Sequence, residues 1–194
     1  DEEKADATQA AREDWAAVIE DGMAYYGKLK KEGKLGGLIV TGCLPERYKE
    51  NILEELPEID AVLGVGSFGD VVAAANTVME GRSLSLFGDN SAPVDEIPRV
   101  ISTGPAWAYL RIAEGCNNFC AFCAIPYIRG RYRSRKLENI VEEAKALAQH
   151  GIKELIVIAQ DITRYGTDLY GKRSLAKLCQ ELRVYACGGD GTFN

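Results

Sequence analysis

The chain has 194 residues, 46% of them hydrophobic and 27% charged, the balance of an ordinary soluble globular protein with room for one or two domains. Its 23 Lys and Arg against 29 Asp and Glu make it mildly acidic. No apolar run approaches bilayer-spanning length and no charged-then-apolar leader precedes the first helix, so a cytoplasmic protein with reduced thiols, and no membrane partner, is expected.

The spacing of Trp15, Val18, Ile19, Met23, Tyr26 and Leu29 predicts one amphipathic helix over residues 5–31, ended by Gly33, Gly36 and Gly37. Leu38-Ile-Val-Thr then reads as a short buried strand with Cys43 at its C-terminal end, where open α/β sheets place their ligands. Tyr48, Ile52, Leu53 and Leu56 predict a helix stopped by Pro57, Ala61-Val-Leu-Gly-Val a strand, and Val71 to Met79 another helix. This alternation is that of a parallel α/β layer over residues 1–80. From 81 to 105 the pattern lapses into Gly, Ser, Asn, Asp and three prolines, which reads as an inter-domain linker.

Alternation returns after the linker. Ala108–Ala113 is a strand candidate, Ser134 a candidate cap for a helix with apolar positions Leu137, Ile140, Val141, Ala144 and Leu147, and Gly151 its stop. Leu155-Ile-Val-Ile-Ala reads as a strand covered on both faces, and Ser174 opens a last helix through Leu175, Leu178 and Leu182.

Between the strand and the helix lies Glu114-Gly-Cys-Asn-Asn-Phe-Cys-Ala-Phe-Cys-Ala-Ile-Pro, which spaces Cys116, Cys120 and Cys123 as C-x3-C-x2-C. Three thiolates can hold three irons of a cubane and leave the fourth iron open to a small molecule, so the loop points to a reactive iron–sulfur site. Three other readings compete. A structural zinc site wants four ligands, and the lone His150 is too isolated to complete one. A ferredoxin-type site wants C-x2-C-x2-C with a fourth cysteine before proline, which is absent. A secreted disulfide scaffold fits poorly with six cysteines in 194 residues. Phe119 and Phe122 are placed to shield a cluster from water or, equally, to pack in a core.

These residues resemble the cluster loop of the radical S-adenosylmethionine superfamily. Tyr109-Leu-Arg-Ile-Ala-Glu-Gly-Cys, Ala124-Ile-Pro-Tyr-Ile-Arg-Gly and Arg133-Ser-Arg resemble its methylthiotransferases, the RimO and MiaB group. Ile39-Val-Thr-Gly-Cys-Leu-Pro-Glu-Arg-Tyr is similar to the third-cysteine segment of that group's N-terminal domain, and the resemblance covers roughly residues 30 to 182. It implies a 4Fe–4S cluster on Cys116, Cys120 and Cys123 that binds S-adenosylmethionine at the open iron, and a 5′-deoxyadenosyl radical formed after transfer of one electron from a donor such as flavodoxin or ferredoxin. It also implies that Cys43 is one of three ligands to an auxiliary 4Fe–4S cluster, whose other two cysteines have no counterpart here, so one cluster is expected in this chain.

Two further motifs gain a role from that resemblance. The basic run Arg129-Gly-Arg-Tyr-Arg-Ser-Arg-Lys is by itself a solvated face or a nucleic-acid patch; beside the cluster loop, Arg129, Arg133 and Arg135 become candidates for pairing with the carboxylate of S-adenosylmethionine or an acidic substrate. Gln160 and Asp161, in Gln160-Asp-Ile-Thr-Arg-Tyr-Gly, follow the next strand and are candidates to line a barrel mouth. Ala159-Gln-Asp-x-Thr-Arg-Tyr-Gly is similar to the RimO version, which implies transfer of a methylthio group to the β-carbon of an aspartate in protein twelve of the small ribosomal subunit. The alternatives are a MiaB-like transfer-RNA methylthiotransferase and an inactive fragment that binds one cluster. The implied fold is α/β: an incomplete parallel layer domain, then the start of a radical S-adenosylmethionine partial (β/α) barrel over 106–182, truncated after about two β/α units and expected to be poorly soluble alone. Val184-Tyr-Ala-Cys-Gly-Gly-Asp-Gly-Thr-Phe-Asn resembles the glycine-rich phosphate loop of lipid kinases and is expected to be an unrelated or disordered tail over 183–194; Cys179 and Cys187 match no family position.

Overall fold

The computed structural model describes residues 21–49, 51–94, 96, 100–102, 104 and 106–186, of which 184–186 are described by backbone alone. The chain divides into two compact units, residues 1–88 and 89–194, a boundary inside the segment expected to be linker.

In the first unit, helix α1 occupies residues 21–31; the earlier part of the expected 5–31 helix lies outside the described residues. Strands β1 (Ile39–Thr41), β2 (Ala61–Leu63) and β3 (Leu84–Leu86) form an all-parallel sheet in the order β1-β2-β3, in register Ile39 with Ala61 and Ala61 with Leu84. All of β2 is fully buried, as a central parallel strand covered on both faces requires. Its side chains alternate: Ala61 and Leu63 pack against Ala74 and Val78 of α4 (Val71–Met79), and Val62 packs against Ile52 and Ile59.

Three local expectations change here. The helix expected from Tyr48 to Leu56 is two, α2 (Cys43–Tyr48) and α3 (Asn51–Glu55), because Lys49 takes φ +47 and a left-handed residue cannot continue an α-helix. Val65 leaves the strand for a 3-10 helix, Val65–Asp70, and its N–H donates to the buried Glu46 carboxylate at 3.0 Å. The short strand β3 lies within the expected linker; a Cβ on Gly88, just beyond it, would stand 2.2 Å from the Gly66 carbonyl oxygen, so two backbones pass where only glycine fits.

In the second unit, β4 (Trp107–Arg111) pairs in parallel with β7 (Glu154–Ile158), residue for residue from Trp107 with Glu154 to Arg111 with Ile158. Parallel strands need a long crossover, and α6 (Leu137–Gln149) supplies it, burying Ile140, Val141, Ala144 and Leu147 as the spacing predicts. A short antiparallel pair, β5 (Ala113–Glu114) with β6 (Arg133–Ser134), brackets the cysteine loop and the one-turn helix α5 (Ile125–Ile128). Helix α7 (Leu175–Ala186) closes the described chain, so the first residues of the expected tail are helical and residues 187–194 lie outside the described set. The core gathers Leu110, Ile112, Ile140, Ala144, Tyr165 and Leu178.

Strand β7 is half-buried, and not covered on both faces as expected, because among the described residues this sheet has two strands and helices on one side. Leu155 and Val157 pack on the core while Ile158 is exposed. Ser134 does not cap α6; Lys136 holds that position, and Ser134 is drawn instead to Asp168, which accepts from its N–H at 2.7 Å and its hydroxyl at 2.6 Å. The α/β class holds in both units.

Leu110 is fully buried at the centre of this core. Leu110→Ala is expected to lower the unfolding free energy of the second unit by about 2–5 kcal/mol in a urea titration, and a loss under about 1 kcal/mol would place the core elsewhere.

Candidate metal centre

Parallel pairing of β4 and β7 aligns their C-terminal ends, and the two candidate loops leave from that edge. The chain beyond β4 is held by Ile112 N–H donating to the Ile158 carbonyl at 3.0 Å and Arg135 N–H donating to the Ile112 carbonyl at 2.9 Å. Gly115 then turns with φ +73, where a Cβ would lie 2.3 Å from the Arg131 carbonyl oxygen. The two ends of the cysteine loop therefore pass in backbone contact, and Cys116 N–H donates to the Gly130 carbonyl at 3.2 Å.

Within the loop, Cys116 is buried, Cys123 half-buried and Cys120 exposed, and all are free thiols. Asn117 Oδ1 accepts from the Tyr132 N–H at 3.0 Å, and Cys123 N–H donates to the Cys120 carbonyl at 3.0 Å. By chemistry, three thiol donors on one eight-residue loop fit an iron–sulfur cluster. Among the described residues, no three His, Cys, Asp or Glu side chains are gathered closely enough to hold a metal ion. His150 ends α6 with Nδ1 2.7 Å from the Ala146 carbonyl oxygen, bonded within its own helix. Neither phenylalanine packs in the core: Phe122 is 95% exposed, and Phe119 stands edge-on to Tyr127 at 6.3 Å with the Arg131 guanidinium 5.9 Å from its ring centre.

Glu114, directly before the loop, is the acid that sequence reasoning missed. It is buried, with Arg111 Nη1 2.6 Å from Oε1 and Arg129 Nη1 2.9 Å from Oε2 and 3.0 Å from Oε1. Burial alone would raise its pKa, but the two guanidiniums outweigh burial and hold the carboxyl below its ordinary 4.5. Its only sequence signal is its place beside Gly115 and Cys116.

The expected anion-binding arginines are thus engaged inside the protein. Arg129 pairs with Glu114. Arg133 donates to the Ala92 and Arg129 carbonyls, both at 2.9 Å. Arg135 is buried, donates to Glu143 at 2.6 Å and to the Arg111 carbonyl at 2.7 Å, and forms a second ion pair with Glu96. Gln160 is exposed, whereas Asp161 reaches the cysteine loop by accepting from Asn118 Nδ2 at 3.2 Å. Cys43 belongs to the first unit, where it opens α2 directly after Gly42. Cys179 is exposed on α7 and Cys187 lies outside the described residues.

A carboxyl with a depressed folded-state pKa stabilises the fold above its ordinary value, and that stability is lost as the pH falls through the depressed value. Glu114 therefore predicts that the urea midpoint of the second unit falls as the pH drops below the ordinary carboxyl value of 4.5. Glu114→Gln should cost about 1.5–3 kcal/mol at neutral pH, because it removes the charge that two guanidiniums face, and should flatten that acid limb; an unchanged limb would assign it to other carboxylates.

Comparison with known proteins names the class. Residues 110–190 match the Radical SAM superfamily, and the span reaches into the segment expected to be a foreign tail. The chain is 49% identical over 163 residues to the ribosomal protein uS12 methylthiotransferase RimO of Clostridioides difficile, covering 84% of this chain and 37% of that protein. It is 48% identical over 174 residues to the protein of the same name from a Thermoanaerobacter species, covering 89% of this chain and 38% of the relative. Among solved structures, the radical S-adenosylmethionine methyltransferase TsrM from Kitasatospora setae, bound to tryptophan and aza-SAM, aligns with TM-score 0.53 at 15% identity over 80% of this chain and 35% of that one, a likeness of fold. By these matches the chain is similar to RimO proteins of the radical SAM superfamily. It spans somewhat over a third of the length of the curated relatives it matches.

Proposed function

We propose that Cys116, Cys120 and Cys123 are the ligands of a radical S-adenosylmethionine 4Fe–4S cluster, in an enzyme that adds a methylthio group to an aspartate of the small-subunit ribosomal protein uS12. The observation that carries this reading is the C-x3-C-x2-C loop, seated at the C-terminal edge of a parallel β/α unit in a chain about half identical to RimO proteins. When bound, such a cluster supplies the electron and the open coordination site at which S-adenosylmethionine is cleaved to a radical. The protein's share is binding, orientation and exclusion of water.

Glu114, with Arg111 and Arg129, fixes the strand end from which the loop departs. Exposed Gln160 beside the loop is proposed to meet S-adenosylmethionine or the acidic substrate, while Arg129 and Arg133, bonded to Glu114 and to the Ala92 and Arg129 carbonyls, hold the loop's base. Arg135, its guanidinium spent on Glu96 and Glu143, serves the fold. Cys43 remains a proposed ligand of an auxiliary cluster that this chain, with one of its three cysteines, does not assemble. A cytoplasmic setting and a flavodoxin or ferredoxin electron donor go with this reading; among the described residues no helix is long and apolar enough to cross a membrane.

Anaerobic reconstitution should load about four irons per chain, one cubane, and Cys116→Ala, Cys120→Ala or Cys123→Ala should each abolish it. With S-adenosylmethionine, sulfide and a reductant, the chain should add a methylthio mass to an aspartate of uS12. The same addition to transfer-RNA adenosine would move the substrate to RNA, and a loaded cluster without any transfer would leave a cluster-binding piece.

A further inference from the structure

We propose that Asp161 is a positioning residue for the cysteine loop, fixing the path of the chain between Cys116 and Cys120 through the Asn118 side chain. The proposal rests on the reading of that loop as the cluster's ligand set and adds to it a residue that touches no ligand.

Three residues separate Cys116 from Cys120, and each carries a constraint. Asn117 is tied by its Oδ1 to the Tyr132 N–H at 3.0 Å, Asn118 by its Nδ2 to Asp161 Oδ2 at 3.2 Å, and Phe119 takes φ +47. A non-glycine residue in the left-handed region is held there only when its surroundings over-determine it. Here the surroundings include the Tyr127 ring and the Arg131 guanidinium, which meet Phe119, and the two asparagine tethers, which pull to different parts of the unit: one to Tyr132, just before β6, the other to the turn after β7, 43 residues further along the chain.

Asp161 is suited to be the fixed end of the second tether. It caps the 3-10 helix Ile162–Arg164, with Oδ1 accepting from the Thr163 N–H at 3.1 Å and the Thr163 hydroxyl at 2.6 Å. Arg164 Nε stands 3.4 Å from Oδ2. The Thr163 hydroxyl bond is the largest influence on its acidity, and the carboxyl is held below its ordinary range, so Asn118 donates to a charged and oriented acceptor. A bond of this kind acts on a metal site as an outer partner does, by orienting the ligands without contacting the metal.

The test uses Asn118→Ala, Asp161→Ala, the double variant, and the near-isosteric Asn118→Asp, which faces one carboxylate with another. In the metal-free chain, hydrogen–deuterium exchange of the segment 116–123 should rise several-fold in each single variant, with β4 unchanged. In the reconstituted chain, chelator should strip iron about tenfold faster from each single variant, the double variant should be no faster than either, and the spectrum of the reduced cluster without S-adenosylmethionine should change alike in both. Joining Asp161→Asn to Asn118→Asp should restore slow exchange by reversing the bond. Additive effects, or an Asp161→Ala effect that Asn118→Ala does not share, would overturn the proposal and assign Asp161 to its own turn or to the cofactor. An unsubstituted chain that binds no iron would defeat the cluster reading, and the metal-free exchange data would still decide whether Asp161 holds the loop.

Discussion

The parallel pairing of β4 with β7 is the constraint on which the second unit depends. Five residue pairs, Trp107 with Glu154 to Arg111 with Ile158, put two strand ends on one edge although α6 separates them in sequence. A parallel pair cannot be closed by a tight turn, so the crossover helix is obligatory and its apolar stripe supplies the core over β4. Both candidate loops inherit their position from that edge. Asn118 and Asp161 lie on the two loops that leave that edge, and they meet at 3.2 Å.

Buried charge holds the loop's base. Glu114 with Arg111 and Arg129, and Arg135 with Glu96 and Glu143, are pairs whose desolvation consumes much of their Coulomb attraction. Their value lies in position: a guanidinium locked on a buried carboxylate fixes the backbone carrying both. The basic run is therefore not mainly a charged face. Arg129, Arg133 and Arg135 all bond within the unit, and Arg131, stacked beside Phe119, is its exposed arginine.

Much of this was legible from spacing alone. Helix α4 falls on Val71–Met79 as expected, α6 buries the stripe its period defines, and the cysteine loop follows a strand. Ambiguity entered where partners are distant. Ser134 looks like a cap until Asp168, 34 residues away, takes both its donors. Arg135 looks like an anion binder until Glu96, 39 residues back, occupies it. β3 is three residues in a Gly- and Ser-rich stretch, and only its pairing with β2 makes it a strand. Leu155 to Ile158 has the composition of a doubly covered strand, but coverage depends on neighbours that composition does not contain.

The central claim is that one loop of three thiolates holds a cubane with an open iron. Mössbauer spectroscopy of the chain reconstituted with iron-57 tests it directly. The account predicts that adding S-adenosylmethionine shifts the isomer shift of one iron in four and leaves the other three unchanged. Four irons that ignore the cofactor, or a single thiolate-bound iron in place of a cubane, would contradict it.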